Sequence, residues 1–245
     1  MSELLLFAVA GFLAQMIDGM LSMGYGVSAT TLLLAFGVAP AGASASVHTA
    51  EVVTTAFSAY SHWRNGNVIA SFVKKLLIPG VLGAIAGAYV LTTVPGEAIK
   101  PFIAAYLAVM GAVILYKAFR PRREVESHAH LVPLGLAGGF CDSIGGGGWG
   151  PIVAGTLVAR GNPPRTTIGS VAFAEFFVTF AASATLLLTI GVTNWKPIAG
   201  LAIGGAIASP IAARLTGRIA AKPLMIFVGV LVILLSARTL WQALG

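Results

Sequence analysis

Charged side chains are scarce in this chain of 245 residues: Asp, Glu, Lys and Arg together make up 9%, against about 25% in an ordinary soluble domain. Beside 57% hydrophobic residues and a mean hydropathy of +0.91, that scarcity excludes a soluble globular domain and points to a membrane protein. Cysteine is nearly absent. The single Cys141 rules out an internal disulfide, and neither a cysteine cluster nor a His-Glu-x-x-His run offers a zinc site, so no metal or other cofactor is expected. The net charge of +7 comes from fifteen Lys and Arg that fall almost wholly in short connectors between apolar runs. They read as topology signals rather than a nucleic-acid stripe. The first twenty residues carry Glu3 and no Lys or Arg. Lacking the basic start of a secretory signal, they are expected to belong to the membrane domain.

What is present is a repeat. Residues 11–55 laid over 135–179 without a gap agree at thirteen of forty-five positions: Gly11, Asp18, Gly24, Gly26, Leu33, Ala35, Gly37, Pro40, Ser46, Val47, Ala50, Glu51 and Thr55. The shift of 124 residues pairs Asp18 with Asp142 and Glu51 with Glu175, and with a small change of register Lys100-Pro101 meets Lys222-Pro223 near the ends. Shared hydrophobicity does not produce such gapless identity. The chain divides into a first repeat, 1–118, a charged linker, 119–130, and a second repeat, 131–245.

Each half holds three runs long enough to cross a hydrocarbon core, about 43–63, 69–92 and 98–118, then about 167–190, 195–213 and 222–243. A different element precedes each trio. The apolar stretches 4–36 and 131–159 are broken at their centres by Asp18-Gly19-Met20-Leu21-Ser22-Met23-Gly24-Tyr25-Gly26 and Asp142-Ser143-Ile144-Gly145-Gly146-Gly147-Gly148-Trp149-Gly150. Too long for one crossing and too short for two, each is expected to form two half-length helices meeting near the midplane. Such a hairpin does not change sides, so three crossings per half would invert the second half. With the linker inside, twelve basic residues are cytoplasmic and three are not, whereas parallel halves give nine and six. The positive-inside bias favours inversion. The predicted fold is an all-α polytopic membrane protein of two inverted repeats, each a re-entrant or broken helix hairpin followed by three transmembrane helices.

Non-helical backbone at membrane depth is tolerated where it lines a protein or water cavity, and inverted repeats with broken helices are a plan of secondary transporters. Gly24, Gly26, Gly146, Gly147, Gly148 and Gly150 are candidates for close backbone approach to a ligand, beside the start of each second limb, where free N–H groups favour an anion. Tyr25 and Trp149 are candidate cavity walls, and Ser22, Ser46, Ser143 and Ser170 candidate donors to an oxyanion. Ionised carboxylates repel an anion, so Asp18, Glu51, Asp142 and Glu175 are assigned to coupling or gating, with bracing of the hairpin tips an equal alternative for the aspartates. His48 precedes Glu51 by one helical turn and is a candidate partner for it in proton transfer. His62, next to Trp63 and Arg64, is expected at the membrane interface, and Gly83, Gly87, Gly204 and Gly205 are expected to serve helix packing.

The two glycine-rich openings, each followed by a helix carrying Ser-Val-x-x-Ala-Glu, resemble the TauE/SafE family of sulfite and organosulfonate exporters across essentially the whole chain. That resemblance implies a multi-pass transporter of the bacterial or archaeal cytoplasmic membrane. It implies a small anionic substrate, sulfite or a sulfonate, moved at the expense of the proton gradient. The implied partners are substrate, protons and the lipid bilayer, with no nucleic acid; a homodimer is among the assemblies open to it. Two other readings stand beside this one, a passive anion channel and an intramembrane enzyme like the undecaprenyl-pyrophosphate phosphatases. Diphosphate chemistry wants an Arg or Lys at the site, and every basic residue maps to a connector or helix end, so no enzymatic activity is expected.

Overall fold

A computed structural model describes residues 2–119, 130–191, 195–216 and 220–244. Ten helices follow in chain order: α1 (Ser2–Leu21), α2 (Tyr25–Ala35), α3 (Pro40–Arg64), α4 (Ala70–Thr93), α5 (Gly96–Phe119), α6 (Leu131–Gly145), α7 (Trp149–Ala159), α8 (Pro164–Ile190), α9 (Trp195–Leu215) and α10 (Ala221–Leu244). No strand occurs among the described residues. The linker 119–130 lies almost entirely outside them.

Both apolar stretches break where glycine permits it. Gly24 has φ 138° and Gly146 φ 66°, while Ser22 takes φ 49° at the first tip. α7 opens as a π-helix over Trp149–Ala154, with Pro151, which has no N–H to place, in its first turn. The second hairpin is made of two short helices, fifteen residues in α6 and eleven in α7, but the first is not. The twenty residues of α1 rise about 30 Å, enough to cross a hydrocarbon core, whereas the eleven of α2 rise only about 16 Å. Among the described residues six helices are long and apolar enough to span a membrane, and they include α1 in place of α3. α3 has the length, 25 residues, but its Ser, Thr, His and Glu lower its hydropathy. Its polar side chains are buried against α8 and α9, while Val53, Phe57, Tyr60 and Trp63 form an exposed apolar stripe.

Each half's first helix packs against the other half. α1 lies along α9, and α6 along α4, while α3 meets α8 and α5 meets α10. Glycines set these distances. A Cβ at Gly11 would strike the Leu201 backbone and one at Gly204 the Ala8 backbone, while Gly83, Gly87, Gly135 and Gly139 bring α4 and α6 into equally close contact. Gly205 instead receives Thr54 and the Tyr25 ring. α1 and α9 run in the same direction, Gly11 beside Leu201 and Gly19 beside Ala212. α9 also runs in the direction of α3: Thr54 lies against Gly205, with its carbonyl bonded by Ser209 Oγ at 2.9 Å, and further along both, His62 and Thr216 bond the same Gly19 carbonyl. The exposed large side chains, among them Leu5, Ile78, Phe102, Leu188 and Trp241, are apolar and suit a lipid-facing periphery.

Candidate functional site

The tips of the two hairpins meet. Thr30 Oγ1 donates to the Gly146 carbonyl at 2.8 Å, a Cβ at Gly26 would fall on that same carbonyl, and Gly147 and Gly150 lie against the backbone of Val27 and of Ser22–Met23. What demands glycine at 26, 147 and 150 is therefore the opposite hairpin. Gly148 packs against Tyr106 Oη and the Cys141–Asp142 backbone, and Gly24 against Ile17 and Val228.

The first N–H groups of a helix have no intrahelical acceptor. At both tips an aspartate supplies one. Asp142 Oδ1 accepts from Gly148 N–H at 2.7 Å and from Trp149 N–H at 3.0 Å, and Asp18 Oδ1 accepts from Tyr25 N–H at 3.4 Å. Both aspartates thus brace their tips.

Around these braces lies a buried ionisable centre. Asp18, Glu51, Asp142, Glu175 and His48 are each at most 4% exposed. Glu175 lies within electrostatic reach of Asp18, Glu51 and Asp142, and Glu51 within reach of both aspartates. The hydrogen-bond partner of His48 is not Glu51, one turn away, but Asp142 of the other half, Nε2 to Oδ2 at 3.3 Å. The imidazole's other nitrogen fixes the proton count. Ser44 Oγ donates to the Ser143 carbonyl at 2.7 Å, so Nδ1, 2.8 Å from the Ser44 carbonyl, must itself carry a hydrogen. A neutral His48 then turns an Nε2 lone pair toward a carboxylate oxygen. One proton has to lie between them, held as imidazolium and carboxylate or as imidazole and carboxylic acid. His48, Glu51 and Asp142 form the one group among the described residues whose ligand atoms converge, all within 4.8 Å. Oδ1 of Asp142 is taken by two backbone donors, which leaves its Oδ2 to face His48.

Several buried polar atoms at the centre have no partner: Tyr25 Oη, Glu51 Oε2 and Ser143 Oγ. Ser22 sits beside Glu175, and Tyr25 beside Glu51 and Asp18. Buried polar groups are normally satisfied, so these atoms retain hydrogen-bonding capacity for a further partner. Ser46 is buried in α3. Ser170 lies away from the tips, its Oγ accepting from Ile69 N–H ahead of α4 at 2.8 Å. The Trp149 ring lies on Gly80 and Gly138, with Nε1 donating to the Val171 carbonyl at 3.2 Å. Its counterpart Tyr25 lies on Gly205.

His62 differs from its interfacial expectation: it is fully buried. Arg165 Nε donates to Asn67 Oδ1 at 2.7 Å, Asn67 Nδ2 donates to His62 Nδ1 at 3.1 Å, and His62 Nε2 donates to the Gly19 carbonyl at 3.2 Å. Thr216 Oγ1 bonds that carbonyl as well, at 3.0 Å. Sequence reasoning also missed Thr30, Ser44, Tyr106 and Lys117. Tyr106 Oη donates to the Gly147 carbonyl at 3.2 Å, and Lys117 Nζ reaches back from the end of α5 to the Pro151 carbonyl at 2.7 Å. Neither belongs to the repeated pattern, since Val228 and Thr239 stand at the corresponding places.

Apolar spanning helices wrapped around two broken helices, whose tips enclose acids, histidine and unpaired hydroxyls, define a multi-pass membrane protein of the transporter class. The model of the family described as Sulfite exporter TauE/SafE matches residues 7–239, and the chain belongs to that family. It is 44% identical over 251 residues to the Probable membrane transporter protein YtnM of Bacillus subtilis (strain 168), covering 98% of this chain and 83% of that protein. No solved structure matches.

Proposed function

We propose that this transporter moves small sulfur-containing oxyanions, sulfite or sulfonates, out of the cell across the cytoplasmic membrane, coupled to protons. The observation that carries the reading is the convergence of two aspartates, two glutamates and His48 on the start of α2 and α7, where backbone N–H groups favour an anion and the acids hold or release protons. Ser22, Ser143, Tyr25 and the backbone of Gly148 and Trp149 line the substrate position, and Asp18, His48, Glu51, Asp142 and Glu175 do the coupling. Ser170, whose hydroxyl is bonded to Ile69 N–H and the Thr166 carbonyl, stands outside this set, and Ser46 lies behind it on α3. The two repeats, 1–118 and 131–245, are inverted about the hairpin tips, with the linker 119–130 cytoplasmic. The shared direction of α3 and α9 supports that inversion, because α9 follows α8, the counterpart of α3, across a short connector.

The test is transport in proteoliposomes. Counterflow of sulfite or methanesulfonate, together with accumulation driven by an imposed pH gradient, is the expected result. Flux that ignores the pH gradient would make the protein a passive channel, and absence of flux with either anion would remove the substrate assignment.

A further inference from the structure

The donors best placed to receive an oxyanion are already holding one. Asp142 Oδ1 takes the opening N–H groups of α7, those of Gly148 and Trp149, while its Oδ2 shares a proton with His48. We propose that the Asp142 carboxylate is a built-in competitor for the substrate seat, displaced from Gly148 and Trp149 N–H by the anion when it takes up a proton and restored when the proton leaves. This rests on the reading above, that the chain carries a small oxyanion.

The charge balance follows from the proton count. At rest the His48–Asp142 pair holds one shared proton and is neutral overall. One further proton makes it imidazolium and carboxylic acid, with charge +1, and the arriving anion supplies the compensating −1. Only an O–H bond forms, and it breaks when the proton departs with the cycle's reversal. A carboxylic acid is a poor acceptor compared with a carboxylate, so the two N–H groups pass to the substrate. A fully buried hydroxyl without a partner is available to its remaining oxygens, Ser143 Oγ beside Asp142.

The other hairpin is not an equal seat. Tyr25 N–H reaches Asp18 at 3.4 Å, and the repeat partner of His48 is Ala172, so Asp18 has no imidazole with which to share a proton. The titratable groups facing Asp142 are Asp18 on α1, His48 and Glu51 on α3, Tyr106 on α5 and Glu175 on α8, with Cys141 on its own helix. The other three acids have no backbone N–H pair of this kind, so the competition is particular to Asp142.

The experiment compares the full-length protein with Asp142→Asn and His48→Gln for binding of sulfite and methanesulfonate by calorimetry from about pH 5.5 to 8. Asn keeps the shape and a neutral acceptor but cannot ionise. Because each anion's own titration cancels in the comparison, the reading is the ratio of variant to wild-type affinity at each pH. That ratio should rise with pH for Asp142→Asn, approaching about tenfold per unit where the wild-type carboxylate reclaims its donors. His48→Gln, which leaves Asp142 ionisable without its proton partner, should move the midpoint of the wild-type profile, and it carries the test if Asp142→Asn does not fold. Wild-type binding with ratios that stay constant across the range for both variants would overturn the competition alone. Wild-type protein that binds neither anion at any pH would remove the substrate reading and this inference with it.

Discussion

His48 Nε2 lies 3.3 Å from Asp142 Oδ2 although 94 residues separate them, and this contact ties α3 of the first repeat to the hairpin of the second. The corresponding pairing between Asp18 and the second repeat does not exist, because Ala172 replaces the histidine. A duplicated scaffold therefore carries one such His–Asp pair.

Coupling is expected to separate from exchange in the glutamate variants. Gln at position 51 or 175 preserves shape while fixing the site neutral, so substrate exchange should survive and pH-driven accumulation should fall. Glu51→Gln should change the pH dependence more, since Glu51 stands beside the His48–Asp142 pair and Glu175 beside Ser22. The two fluxes are to be measured in the same vesicles. Accumulation like that of the parent in both variants, from about pH 5 to 8, would make the acids structural.

Crowding at the tips predicts a loss of stability together with function. A Cβ at Gly150 meets the Ser22 carbonyl and Met23, both backbone, so neither can rotate away. Gly150→Ala should cost about 1–3 kcal/mol, the usual penalty of overpacking, and lower transport in parallel. Thermal unfolding in detergent checks the first part. Gly37→Ala is the contrast, because nothing lies within 4 Å of its added carbon, and only the strain of φ 83° remains.

The chain from Arg165 through Asn67 and His62 to the Gly19 carbonyl joins the start of α8 to the residue after Asp18. Asn67→Ala removes two of its bonds and leaves His62 Nδ1 buried without a donor, which should destabilise the protein by about 1–3 kcal/mol. His62→Gln should retain more stability than His62→Leu, since an amide can still donate to Gly19. Melting temperatures of the three variants decide this, and equal values for Gln and Leu would deny the bond to Gly19 any role.

Topology is open to labelling. In a Cys141→Ala background, single cysteines within 119–130 should react from the cytoplasmic side and cysteines at either terminus from the opposite side, as the twelve-to-three distribution of basic residues requires. A C-terminus labelled from the cytoplasm would overturn the inverted arrangement.

Membrane class, the positions of the long helices and the pairing of the acids are all legible in the sequence. The reason is local: a lipid environment demands long apolar runs with internally bonded backbone, and a gapless repeat carries its own alignment. The runs at 69–92, 98–118 and 195–213 lie within two residues of α4, α5 and α9 at either end. Hydropathy was a poorer guide to α3, whose polar side chains face other helices rather than lipid. Tertiary structure decided which side chains meet. Helix spacing placed His48 over Glu51, but the imidazole turns to a carboxylate brought in by the other half. His62 looked interfacial beside Trp63 and Arg64, yet α1 and α9 close over it. The tip glycines, legible as positions of close approach, turned out to approach one another. Contacts across an interlocked pair of repeats depend on how α1 docks on α9 and α6 on α4, and neither periodicity nor spacing within one half encodes that docking.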